Sequence, residues 1–190
     1  DWSSDVCSSD LIFNIIMTTR QNWSDECENA LNKQISMELY AFHYYKLLSS
    51  YFLQSNVSLE NIGKFFKKSS DEENEHADKM IEYQLKRGGK YIFEGVANIS
   101  HDLENVRISN MHVKRAFELA LDLEKTVNNS LLELHALADN CKDPAFCDFL
   151  ESNFLDEQVE ANYELGKIIS KLEDRKSTRL NSSHQIISYA

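Results

Sequence analysis

One proline and five glycines in 190 residues leave few places for the chain to turn sharply. That scarcity argues against a many-turned β-sandwich or barrel and for long helices. No run approaches the roughly 20 apolar residues that a membrane span needs, so no membrane partner is expected. Four cysteines without regular spacing make neither a disulfide framework nor a zinc ribbon. Positive charge is in short supply: 20 Lys and Arg stand against 31 Asp and Glu, a formal net charge of −11. Such a chain is unsuited to nucleic acid and has room for cations. The length suits one domain.

The two ends differ in character from the middle. Residues 1–11 (DWSSDVCSSDL) and 174–184 (DRKSTRLNSSH) are rich in Ser and Asp and lack helical periodicity. They resemble a translated sequencing adapter, one strand at each end. Met17 then reads as the true start. The expected division is 1–16 as a disordered leader artefact, 17–173 as the functional domain, and 174–190 as an artefact tail. Leu11 to Ile16 (LIFNII) has no basic region before it and no small-residue cleavage site after it. It makes a poor signal peptide, so a cytoplasmic location is expected.

Between the ends, four segments carry apolar residues at a spacing of three and four. The first runs from about Ser24, an N-cap candidate, to Phe52. The second runs from Ser58, another cap candidate, to Arg87, and stops at Gly88-Gly89. The third covers about Met111 to Ala138. The fourth starts at Asp143-Pro144, a cap followed by proline at the first helical position, and continues to about Leu172. Short connections pair helix one with two and helix three with four as antiparallel neighbours. The stretch 88–110 is long and aperiodic. It can reach at most roughly 75 Å, and a 28-residue helix is roughly 42 Å long. It can therefore run the length of the bundle, which predicts an all-α four-helix bundle with one long crossover between helices two and three.

Each core stripe is broken near its middle. Helix one reads Leu31, Ile35, Glu38, Ala41, Tyr45, Leu48, Phe52, and helix two reads Ile62, Phe66, Ser69, Glu73, His76, Met80, Tyr83. Helix three reads Val113, Phe117, Ala120, Glu124, Val127, Leu131, Leu134, Ala138, and helix four Phe154, Gln158, Ala161, Leu165, Ile168, Leu172. The interruptions are Glu38, Glu73 with His76, Glu124 and Gln158. A lone E-x-x-H is usually a solvated face, and a lone mid-stripe Glu is usually a stripe read in the wrong phase. Four coincident breaks are different. Buried carboxylates that repel one another are costly, and divalent cations remove the cost. Carboxylates with one imidazole suit iron or manganese better than zinc. Glu73-x-x-His76 places both side chains on one face, so Glu73 can bridge two metals while His76 holds one.

At these residues the sequence resembles the ferritins of the heavy-chain, ferroxidase-bearing type. The stretches that carry the resemblance are QISMELYAFHYY around Glu38, DEENEHADKM around Glu73 and His76, LDLEKTVNNSLLELH around Glu124 and CDFLESNFLDEQVEA around Gln158. It implies a ferritin-like bundle and a di-iron ferroxidase centre. Glu38, Glu73 and His76 would hold the first iron, and Glu73, Glu124 and Glu72 the second. Gln158 would hydrogen-bond near the second iron, with Tyr45 beside the pair. Two ferrous ions would each give an electron to dioxygen, and the ferric product would pass inward as hydrated oxide. Glu75 and Asp78 match acids facing the family's mineral cavity. Cys147, Asp148 and Glu151, with His135 nearby, match its three-fold channel.

The implied protein is an iron-storage enzyme subunit in a shell of twenty-four chains, alone or with other ferritin subunits. Its substrates would be Fe(II) and dioxygen, and its product ferric oxide mineral. Two features depart from the family. The crossover looks about six residues longer, and the tail stands where a fifth short helix should follow Leu172, so that helix is expected to be missing. The alternative is a light-chain-like subunit that nucleates mineral without oxidising iron, and it requires a dismantled centre. A rubrerythrin-like peroxidase would want a second E-x-x-H and a Cys-x-x-Cys module, and a DNA-protecting miniferritin a basic tail.

Overall fold

The computed structural model describes residues 19–97 and 112–177, with side chains to residue 174. It is built of helices α1 (Asp25–Phe52), α2 (Glu60–Lys86), α3 (Val113–Asn140), α4 (Pro144–Leu150) and α5 (Asp156–Ser177). A five-residue π-helical segment, Glu151–Leu155, joins α4 to α5, so the two form one interrupted rod. No strand occurs among the described residues, and no helix there is long and apolar enough to cross a membrane.

Hydrogen bonds between rods fix their directions. Ser49 Oγ donates to Gly63 O at 2.8 Å, Ser70 Oγ to Phe42 O at 3.0 Å, and Gln84 Nε2 to Asn32 Oδ1 at 3.1 Å. Rising numbers on α1 thus meet falling numbers on α2. Tyr45 with Glu124 and Gln34 with Ser130 give the same sense between α1 and α3. With both antiparallel to α1, α2 and α3 are parallel to each other, and their connection must return along the bundle. The four-helix bundle with a long crossover is therefore the observed architecture. Residues 98–111 of that crossover lie outside the described residues, as do 1–18 and 178–190. The expected leader artefact falls there, as does most of the tail in which no fifth helix is expected. Helix α5 runs past the boundary expected at Glu173, to Ser177.

The caps follow local chemistry. Ser24 accepts from the Cys27 amide at 3.0 Å and begins α1. Asp143 accepts from the Phe146 amide at 3.0 Å ahead of Pro144. Helix α2 ends in a Schellman turn: Gly89 N–H reaches Gln84 O at 2.9 Å and Gly88 N–H reaches Leu85 O at 3.1 Å. Gly88 takes φ 78°, and a Cβ there would meet Arg20 N at 2.8 Å. Ser58 does not cap α2. It sits at φ 51°, its hydroxyl turned back to Ser55 O, and Leu59 precedes the helix instead.

The fourth rod needs its π segment. Phe146, Leu150, Phe154 and Gln158 are all buried, each four residues from the last. In a regular α-helix a step of four overshoots the turn by about 40°, or about 120° over three steps. Widening the ladder locally takes up that excess and keeps all four on the core face. In α2 the buried line is Phe66, Ser70, Glu73, Ala77, Met80 and Gln84. His76 and Tyr83, expected on that line, sit on the flank toward the fourth rod, where Tyr83 stacks on Phe149 at 3.8 Å and His76 lies edge-on to Phe154 at 5.4 Å.

One buried ion pair locks the end of the bundle near the N-cap of α4. Arg87 grips Asp143 through both terminal guanidinium nitrogens, at 2.6 and 3.2 Å, and donates to Asn22 O at 2.7 Å. Its guanidinium lies 4.9 Å above the Trp23 ring. Asp143 is 2% exposed, so Arg87→Ala strands a buried carboxylate. Chemical denaturation should show a loss of about 3 kcal/mol.

Candidate metal centre

Halfway along the bundle the apolar core gives way to polar side chains from all four rods. Helix α1 supplies Glu38 and Tyr45, α2 supplies Glu73 and His76, α3 supplies Glu124, and α5 supplies Gln158. Glu38 is 0% exposed, Glu73 and Glu124 4%, and Gln158 3%. One donor atom each from Glu38, Glu73 and His76 lies within 4.8 Å of the others. Tyr45 Oη donates to Glu124 Oε1, and Gln158 Nε2 donates to Glu124 Oε2 at 2.8 Å. Glu73 interacts with Glu38 on one side and with Glu124 on the other. It is the middle member of a row of three carboxylates.

The electrostatics of the row are unfavourable without a cation. Burial pushes the Glu38 carboxyl well above the usual carboxylate range, and the neighbouring Glu73 charge pushes the same way. Burial likewise raises Glu73, reinforced by Glu124. The Tyr45 phenol is raised by burial and then by Glu124, so it stays a proton donor. Two buried oxygens, Glu38 Oε2 and Gln158 Oε1, have no hydrogen-bond partner among the described residues. A donor set of carboxylate oxygens, one amide oxygen and one imidazole fits a hard or borderline divalent cation.

Several supporting groups escaped the sequence reading. Gln34, buried in α1 one turn before Glu38, donates to Glu38 Oε1 at 2.8 Å and accepts from Ser130 Oγ. Its signal was legible as a second polar residue on the same stripe. Glu157 Oε2 meets His76 Nε2 at 2.8 Å, while His76 Nδ1 lies 3.3 Å from Glu73 Oε2. Glu157 is exposed, so hydrophobic periodicity carried no sign of it. Glu72 does not join the cluster. It lies on the exposed face of α2, 3.0 Å from Lys68 Nζ, because one residue of helix turns it away from Glu73. Glu75 and Asp78 are exposed, with Asn74 Nδ2 donating to Asp78 at 3.3 Å.

A second polar group lies toward the start of the fourth rod. Asp148 and Glu151 are exposed and Cys147 is half-buried. His135 Nε2 lies 2.6 Å from Glu151 Oε1.

Residues 28–174 match the Ferritin family, described as a ferritin-like domain. The chloroplastic ferritins of Malus baccata var. xiaojinensis and Phaseolus vulgaris are each 43% identical to this chain over 157 residues, 83% of its length. The chain belongs to the ferritin family. The ferritin middle subunit of Aquarana catesbeiana is 40% identical over 158 residues, covering 83% of this chain and 86% of its own. The chain spans 62% and 61% of the two chloroplastic ferritins. The expected cytoplasmic location is overturned here, since several matched ferritins are chloroplastic. That expectation rested on residues 11–16, and the helical bundle that the ferritins share carries no address.

Proposed function

We propose that this chain is an iron-storage subunit that oxidises Fe(II) with dioxygen and passes ferric ion into a mineral held in a shell of ferritin subunits. The observation that carries the reading is the row of three buried carboxylates with His76 at one end. Two ferrous ions, as substrate, would divide the row. Glu38 and His76 take one and Glu124 the other, with Glu73 between them. The ions offset the burial and the repulsion that raise Glu38 and Glu73, so binding displaces protons that these carboxyls otherwise retain. Gln34 and Ser130 hold Glu38 in register, and Tyr45 and Gln158 hold Glu124. Each ferrous ion gives one electron, so a pair reduces dioxygen by two electrons, to hydrogen peroxide once two protons are added. The protein supplies position and charge balance.

Gln158 and Ala161 occupy the place where a second E-x-x-H would add an anion and an imidazole. Their neutrality favours release of the ferric product over its retention. The acidic surface around Asp148, Glu151 and His135 is suited to guiding cations between subunits of the shell.

The test is aerobic oxidation of Fe(II) by the purified chain, followed optically against a buffer blank. Fast oxidation should saturate near two irons per chain and be blocked by zinc. A rate equal to the blank from a helical protein would overturn the reading and favour a light-chain-like nucleating subunit.

A further inference from the structure

We propose that Cys27 and Cys141 form a dithiol that hydrogen peroxide closes into a disulfide, stapling the start of α1 to the end of α3. Cys27 is fully buried in the first turn of α1, and Cys141 is the half-buried C-cap of α3. Ser24 links them. Its Oγ accepts from the Cys27 amide at 3.0 Å and donates to Cys141 Sγ at 3.5 Å. Asn22 Nδ2 donates to Lys142 O at 3.2 Å, holding the segment before α1 against the α3–α4 turn. Cys141 is near enough to the Cys27 thiol to oppose its ionisation. Cys147 is differently placed, among the charges of Asp139, Asp143 and Glu151.

The two sulfurs are suited to different halves of the reaction. Cys141 is the more accessible and meets the oxidant. Its sulfur attacks hydrogen peroxide, an S–O bond forms as the O–O bond breaks, and the thiol proton leaves with the departing hydroxide as water. Burial pushes the Cys27 thiol up to about 11, so it reacts second and gives up its proton only as it attacks. Its sulfur then displaces the hydroxyl from the Cys141 sulfenic acid, and its proton goes with that hydroxyl as a second water. Two thiols are oxidised, one peroxide is reduced, and two waters result. The proposed iron centre would release the same oxidant within the same bundle, although the dithiol itself does not depend on that centre. The closed loop runs from residue 27 to residue 141, long enough to constrain the unfolded chain strongly.

The full chain, freed of iron by a chelator, is treated with stoichiometric hydrogen peroxide, digested without reductant and mapped by mass spectrometry. A peptide joining Cys27 to Cys141 is expected, lighter by two hydrogens than its parts and lost on reduction. The unfolding midpoint should rise by about 10 °C, independently of protein concentration. Cys27→Ala and Cys141→Ala should each abolish the linked peptide and the rise. Recovery of both cysteines as free thiols overturns the proposal. So does Cys141 recovered only as a sulfinic acid, or a link formed through Cys147. The unsubstituted chain alone decides among these outcomes, so a variant that folds poorly does not blunt the test. Because no iron is added, a negative result leaves the iron-oxidation reading untouched.

Discussion

Glu73→Ala should lower the rate of Fe(II) oxidation by at least about 100-fold, on the order of 3 kcal/mol of lost stabilisation, with helix content unchanged. Glu73 neighbours both Glu38 and Glu124, and it also lies against His76. Removing it separates the row into a Glu38–His76 pair and an isolated Glu124. Two ions no longer share a ligand, and a reaction that needs two electrons from adjacent metals loses the adjacency. The fold should survive, because Ala is a good helix former and the deleted carboxylate destabilises the metal-free core. Stopped-flow absorbance at two irons per chain measures the rate, and circular dichroism checks the helix. A variant as fast as the wild type would sink the assignment. Glu72→Ala is the natural control: its carboxylate pairs with Lys68 on the exposed face, so oxidation should change by less than about twofold.

What the sequence made legible was whatever follows from periodicity. The α1 stripe, Leu31 to Phe52, is buried at each expected position, but it covers only part of a wider face that also buries Asn32, Gln34, Tyr44 and Tyr51 between two neighbouring rods. Helix α2 touches two neighbours, so a single stripe could not place His76 and Tyr83, which turn toward the fourth rod. The π segment was hidden for a related reason. A run of fours at 146, 150, 154 and 158 marks an underwound helix, but only if all four positions are already known to be buried. Residues that act through polar contact are harder still. Ser130 and Glu157 carry no apolar signature, and they matter only because the folded chain sets them against Gln34 and His76. Glu72 shows the converse case, a residue suggested by similarity of sequence that the metal-free helix sets on its exposed face beside Lys68.

Glu38→Gln should make the metal-free protein more stable than the wild type at neutral pH, by about 1–2 kcal/mol. The Glu38 carboxylate is fully buried; one oxygen accepts from Gln34, while the other has no donor among the described residues and faces Glu73. An amide keeps an oxygen for Gln34 and offers an N–H toward Glu73, replacing repulsion by a hydrogen bond. The pH dependence has a definite sign. A carboxyl raised in the folded state holds its proton more tightly there than in the unfolded chain. Its cost is absent below the ordinary carboxylate pKa and grows as the pH climbs from about 4.5 toward the raised folded value. Thermal unfolding in chelator between about pH 5 and pH 7.5 should therefore show the wild type losing ground to the variant as pH increases. Added zinc should reverse the order, because the cation stabilises the intact carboxylate row by mass action and binds the amide variant less tightly. A variant that is less stable than the wild type throughout would mean that Glu38 is a structural hydrogen-bonding group. The centre would then have to be sought elsewhere. The more stable variant would show instead that the bundle tolerates a destabilising cluster at its middle, a cost that only a bound cation offsets.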